Sequence, residues 1–137
     1  MTAATDLRVA DLMTIDPVTV AVDASIEEAE DLLRRYHISG LPVIDGDGRL
    51  VGVISQTDLL YLAAPTVQAL IRHRPSGIRV GEVMSSPPVT IDTTESIRTA
   101  ARVMEDGRLH RLVAVDPHGH PIGVLSAMDF VALAAEG

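Results

Sequence analysis

Two short stretches set a hydroxyl and a carboxylate at the same spacing. GVISQTD runs from Gly52 to Asp58 and GVLSAMD from Gly123 to Asp129, so an apolar strand ends in Ser55-x-x-Asp58 in one and in Ser126-x-x-Asp129 in the other. One chemistry for this pattern is a capping box, in which the serine accepts from a helix N–H and the acid reaches back. The other is a polar pair that holds a ligand at a strand end, where the N–H groups of the following helix favour phosphate. A single copy reads most simply as a cap; its recurrence keeps both readings open, and they are compatible. Catalysis is not expected, and no residue is assigned a catalytic role. Neither serine lies in a G-x-S-x-G elbow, and there is no P-loop or HExxH motif. Nothing fixes Asp58 and Asp129 at a separation for acid–base work. His118-Gly119-His120 offers two imidazoles without further ligands, so no metal site is expected. His110-Arg111 suits either a bidentate phosphate contact or a solvated pair at a strand entry. Arg72-His73-Arg74 reads as a solvated linker end.

The elements that must position these residues follow from a duplication. Shifting the sequence by 71 positions aligns Val9–Leu60 with Val80–Val131 without a gap, matching Met13/Met84, Pro17/Pro88, Ser25/Ser96, Gly52/Gly123, Ser55/Ser126 and Asp58/Asp129 among others. Each copy opens on a short strand, PVTV at Pro17–Val20 or PVTI at Pro88–Ile91. A helix follows, from about Ser25 to Tyr36, with Ile26, Ala29, Leu33 and Tyr36 on one face. Asp23, or its counterpart Thr94, is one candidate cap, and Ser25 with Glu28 is the alternative. LPVID and LVGVIS, joined through Gly46-Asp47-Gly48, predict a hairpin covered on both faces, and a second helix starts after Ser55 or Ser126. The expected fold is therefore α/β, with β-α-β-β-α written twice. The expected boundaries are repeat 1 over 1–62, a linker over 63–79 and repeat 2 over 80–137. The linker carries a short helix around Val67, Leu70 and Ile71, broken by Pro65 and Pro75. One copy alone buries too little surface, so the two are expected to pack with pseudo-twofold symmetry around one shared core.

Composition narrows the partners. The chain has 137 residues and a net charge of -8, which disfavours a nucleic-acid backbone as partner. Tyr36, Tyr61 and Phe130 are too few aromatics for a base-stacking platform. With no Cys, disulfides and thiolate chemistry are excluded. No signal peptide is apparent, and the longest clean apolar run, Leu59–Ala64, is far too short for a bilayer. The expected setting is cytoplasmic, with no membrane partner.

The ordered set ADLMTIDPVTV with GEVMSSPPVTI, YHISGLPVID with RLHRLVAVD, and the two G-V-h-S-x-x-D endings (h, apolar) resembles the CBS (cystathionine beta-synthase) domain family. Two copies resemble its paired form, the Bateman module, here as a stand-alone protein. The chain departs at Val113-Ala114, where the family often has Pro-Val. The resemblance implies adenosine-containing ligands in clefts between the repeats. It also implies a regulatory sensor with no required cofactor that modulates an enzyme or transporter, and a homodimer. In that frame a carboxylate accepts from both hydroxyls of a ribose, and the recurrence of Ser-x-x-Asp favours ribose binding. One implied cleft combines Ser126 and Asp129 with Ile15, Asp16, Val18, Ile38 and Gly40. The other combines Ser55 and Asp58 with Pro87, Val89, Leu109, His110 and Arg111. Gly40 leaves room for a ring and Arg111 narrows the second cleft, so the sites are expected to be unequal, with the Asp129 cleft the better adenosine site. A ligand-free dimerisation scaffold is the alternative. The sequence does not choose among AMP, ADP, ATP, NAD and S-adenosylmethionine.

Overall fold

A computed structural model describes residues 6–72, 74 and 77–136. The elements, in order, are α1 (Val9–Leu12), β1 (Thr14–Ile15), β2 (Val20–Ala21), α2 (Ile26–Tyr36), β3 (Gly40–Ile44), β4 (Leu50–Ser55), α3 (Gln56–Leu62) and α4 (Pro65–Ile71). The second half adds α5 (Val80–Val83), β5 (Thr90–Ile91), α6 (Ile97–Gly107), β6 (Arg111–Val115), β7 (Pro121–Ser126) and α7 (Ala127–Glu136). From β2 and from β5 onward, the order is β-α-β-β-α, as the duplication predicts.

The chain divides into two compact units, and the division does not follow the repeats. One unit is Val18–Pro88; the other joins Met1–Pro17 to Val89–Gly137. Each repeat therefore gives its first helix to the unit built by the other. In the unit holding the C-terminal half, the sheet order is β1-β7-β6-β5, with β1 antiparallel to β7 and β5 parallel to β6. In the unit Val18–Pro88 the order is β2-β3-β4, and Ser85 makes a single antiparallel bridge to Val53 at the place that β1 takes in the first.

Local chemistry explains the elements. Ser25 caps α2 by accepting from the Glu28 N–H at 3.2 Å, and Ser96 caps α6 by accepting from the Thr99 N–H at 3.1 Å. The serine start thus prevails over Asp23 and Thr94, because a cap acceptor must face the N–H of N2 or N3. Both helices end in the left-handed conformation, at His37 and at Arg108. Ala29 and Leu33 are buried on α2, while Tyr36, at the helix end, is half exposed. Each hairpin turn is held by its aspartate. Asp45 Oδ1 accepts from the N–H groups of Asp47 and Arg49, and Asp116 Oδ1 from those of His118 and His120. β3 and β6 each bury three consecutive residues, the pattern of strands covered on both faces.

One expectation needs correction. Pro65 does not break the linker helix; it starts α4 as its first residue, where its missing N–H costs nothing. Pro75 and His73 lie outside the described residues. Each unit has its own cluster of buried apolar residues. Leu41, Val43 and Ile54 centre one, with Val80 of α5 closing it; Leu112, Ala114 and Leu125 centre the other, with Val9 of α1 closing it. A half-sized core becomes adequate once it receives the apolar helix of the other repeat.

Candidate functional site

Both Ser-x-x-Asp motifs sit where a strand passes into a helix; the first forms the full capping box, and in the second the acid reaches back to the serine. The Ser55 N–H donates to Asp58 Oδ2 at 2.8 Å, the Ser55 hydroxyl donates to the same oxygen at 3.0 Å, and the Asp58 N–H donates to Ser55 Oγ at 3.3 Å. In the second motif the Ser126 N–H and hydroxyl donate to Asp129 Oδ2 at 2.7 and 3.2 Å. The bonds that the two carboxylates accept all use Oδ2. Among the described residues, Oδ1 of each aspartate accepts no hydrogen bond, and both side chains are partly exposed. A carboxylate fixed through one oxygen, with the other open, can cap and still accept from a ligand.

The neighbours of the motifs divide between the units. In the C-terminal unit, β1 places Ile15 opposite Gly123 on β7, and Asp16 follows in the left-handed conformation with its N–H on the Ile122 carbonyl at 3.3 Å. Arg111 pairs with Ser126, and the Ala127 N–H donates to the His110 carbonyl at 2.8 Å. Val89 and Leu109 belong to the same unit. In the other unit Gly40 pairs with Ser55, the Gln56 N–H donates to the Ser39 carbonyl at 2.9 Å, and Val18, Ile38 and Pro87 are present. Asp129 thus shares a unit with Ile15 and Asp16. Ile38 and Gly40 lie in the unit of Asp58, and Leu109, His110 and Arg111 in that of Asp129, so each expected set draws on both units.

The entry segments of the two repeats differ. Asp16 adopts φ of 53°, whereas the equivalent Pro87 follows a cis peptide bond from Ser86. β1 is a two-residue strand, while Ser85 contributes only one bridge. The backbone offered beside each motif is thus not the same.

Two features escaped the sequence reading. Gly52 and Gly123 open the repeated motif because Met84 and Met13 pack against their backbones; a Cβ on Gly123 would meet Met13 Cγ at 2.9 Å, and one on Gly52 would meet the Ser85 carbonyl at 2.9 Å. The signal was present, since Met13/Met84 and Gly52/Gly123 are both repeat matches. The second feature is a pair of open grooves at equivalent positions. One of about 670 Å³ runs between α2 and α3 past Leu33, Ile38, Leu59 and Ala63; one of about 430 Å³ runs past Met104, Leu109, Ala127 and Phe130. Neither groove is lined by Asp58 or Asp129.

The remaining polar motifs have structural partners. Arg74 pairs with Glu82 at 2.6 Å, and the Arg79 N–H and Arg74 together hold the Glu82 carboxyl below its usual range. His120 Nδ1 lies 3.2 Å from Asp116 Oδ2. The N–H of His120, chiefly, and that of His118 hold the Asp116 carboxyl below its usual range. Among the described residues no three His, Asp or Glu side chains gather as a metal-binding group.

The CBS domain model matches residues 9–64 and 80–136, both copies of the duplication. The chain belongs to the CBS domain family. As a CBS pair it superposes on a crystal structure of CBSX2 of Arabidopsis thaliana in complex with AMP, with a TM-score of 0.82 and 34% identity over 95% of this chain and 97% of that one. It is 32% identical over 123 residues to homoserine O-acetyltransferase of Methanocorpusculum labreanum, covering 90% of this chain and 23% of that protein. It is also 32% identical over 120 residues to inosine-5'-monophosphate dehydrogenase of Bifidobacterium longum, covering 87% of this chain and 21% of that protein. The chain thus spans between a fifth and a quarter of these two relatives. Among the described residues, no helix is long and apolar enough to cross a membrane.

Proposed function

We propose that this CBS pair is a regulatory module that binds an adenosine-containing ligand, with Asp129 and Asp58 reading the ribose and with no catalysis of its own. The observation that carries the reading is the geometry of the two aspartates: Oδ2 is anchored at the helix start, and among the described residues Oδ1 accepts nothing. An ionised oxygen held this way is an acceptor for a diol. The AMP complex of CBSX2, at 34% identity, supports the ligand class. The non-catalytic reading is supported by the two enzyme relatives, whose names denote different reactions although both share this stretch. The proposed ligand residues remain Ile15, Asp16, Val18, Ile38, Gly40, Ser55, Asp58, Pro87, Val89, Leu109, His110, Arg111, Ser126 and Asp129.

Binding to the native state alone stabilises it by RT ln(1 + [L]/Kd), about 2.7 kcal/mol at a hundredfold excess over Kd. A thermal-shift panel of AMP, ADP, ATP, NAD, S-adenosylmethionine and guanine nucleotides is expected to show a rise in melting temperature with at least one adenosine ligand. A folded sample that responds to none would favour the ligand-free scaffold.

The partner of stated kind is a second copy. Leu60 and Tyr61 on α3, and Met128 and Val131 on α7, are 67%, 74%, 69% and 56% exposed. Apolar side chains left on helices beside two open grooves favour self-association. Sedimentation at micromolar concentration is expected to give a dimer; a monomer would contradict this part of the proposal. A cytoplasmic setting belongs to the same proposal.

A further inference from the structure

Resting on the self-association proposed above, we infer that a second copy docks with unlike repeats facing: the α2–α3 face of one chain takes the α6–α7 face of the other. The observation is a reversal of charge within the duplication. Glu27, Asp31, Arg34 and Arg35 on α2 stand at the positions that Arg98, Arg102, Glu105 and Asp106 take on α6 under the 71-residue shift. Every charged residue of α6 is thus opposite in sign to its α2 equivalent. The needs of a single helix explain only one of the two patterns. α2 has its acids in the first turns and its arginines in the last, which suits the helix dipole. α6 has Arg98 at its positive start and Glu105 and Asp106 at its negative end, which opposes it. Local ion pairs do not offset that cost: these charges of α6 are exposed and, among the described residues, none is in an ion pair. On α2, Asp31 holds Arg34 and Arg35, while Glu27, Glu28 and Glu30 are exposed and in no ion pair among the described residues. Unpaired carboxylates on one helix and unpaired arginines on the other are complementary. The reversal reaches the two grooves. Arg34 and Leu60 line one and Glu105 lines the other, and Leu60 and its equivalent on α7, Val131, are both exposed. With like repeats facing, the unpaired carboxylates of α2 would meet their own copies; with unlike repeats facing, they meet Arg98 and Arg102. A closed pair of chains makes this contact twice. Charge then selects which faces meet, and apolar burial holds them together.

The test is sedimentation of the full chain and of its charge reversals: Glu27→Arg/Glu30→Arg on α2, Arg98→Glu/Arg102→Glu on α6, and both together in one chain. Each reversal alone should weaken the dimer by about 10-fold, because it sets like charges across the contact, and the combined chain should return to within about threefold of wild type. Losses that add in the combined chain would overturn the inference and leave the dimer itself standing. A second arm needs no reversal and covers a variant that fails to fold. The chain has no Cys, so Glu30→Cys and Ala101→Cys place single thiols at equivalent positions that line the two grooves. Treated with a short bis-maleimide, a mixture of the two chains should cross-link as the heterodimer, with little product from either chain alone. Product from each chain alone, with none added by mixing, would show like repeats facing and overturn the inference. A wild-type chain that sediments as a monomer would sink the self-association reading, and the inference with it.

Discussion

Asp129→Ala should weaken AMP binding by about 5- to 150-fold, the equivalent of losing 1–3 kcal/mol of charge-assisted hydrogen bonding. Asp58→Ala should do the same for the site it serves. The carboxylate has two jobs, and the measurement must separate them. Asp129 Oδ2 receives the Ser126 N–H and hydroxyl, so its loss also weakens the start of α7, by about 1 kcal/mol for a capping interaction. That cost appears in the melting temperature of the free protein. The ribose role appears in the affinity of protein that remains folded. A ligand lacking both ribose hydroxyls closes the cycle: it should bind wild type poorly and be nearly insensitive to Asp129→Ala, because the two changes remove one interaction. Asp129→Asn keeps the shape without the charge, and a loss similar to that of alanine would identify the effect as electrostatic. If the losses from ligand and protein simply add, Asp129 does not touch the ribose.

The duplication carried most of the fold into the sequence. A gap-free offset assigns the same element order to both halves, and apolar runs such as LPVID mark strands that the structure covers on both faces. The motif ends at Ser55 and Ser126 were legible as helix starts because a cap is a local interaction that spans three residues. The exchange of first helices between units was not legible. Val9 and Val80 occupy equivalent positions in the repeat, and periodicity cannot say whether each packs on its own copy or on the other. The helix start at Pro65 was misread for a related reason: proline ends a helix or begins one according to what lies downstream, and Val67–Ile71 supplies the helix. At the site, the residue types were readable. The strand register sets Gly40 opposite Ser55, and its grouping with Asp129 rests on the resemblance. The expected ranking of the two sites rested on that grouping, so titrating both aspartate variants is the direct measure of the order.

Gly52→Ala should cost about 2–3 kcal/mol, the upper part of the range for overpacking a close-packed position. Gly123→Ala, the same substitution in the same motif, should cost about 1 kcal/mol, the lower part of that range. The difference lies in what each new methyl meets. At Gly123 its three nearest contacts all belong to the side chain of Met13, with Cγ at 2.9 Å and Cε at 3.1 Å, and a thioether can rotate away. At Gly52 it meets the Met84 sulfur and also the Ser85 carbonyl oxygen at 2.9 Å, which belongs to the backbone. Moving that carbonyl strains the bridge in which the Val53 N–H donates to Ser85 O at 3.1 Å and the Ser85 N–H donates to Val53 O at 2.9 Å. Urea unfolding of the two variants measures the difference, and truncating the methionines tests its cause. Met13→Ala in the Gly123→Ala background should recover most of the loss relative to Met13→Ala alone, because it removes the nearest obstacle. Met84→Ala in the Gly52→Ala background should leave most of the loss in place, because the carbonyl remains. Equal losses from the two glycine variants, or full rescue of Gly52→Ala by Met84→Ala, would show that the backbone contact at Ser85 does not constrain this end of the sheet.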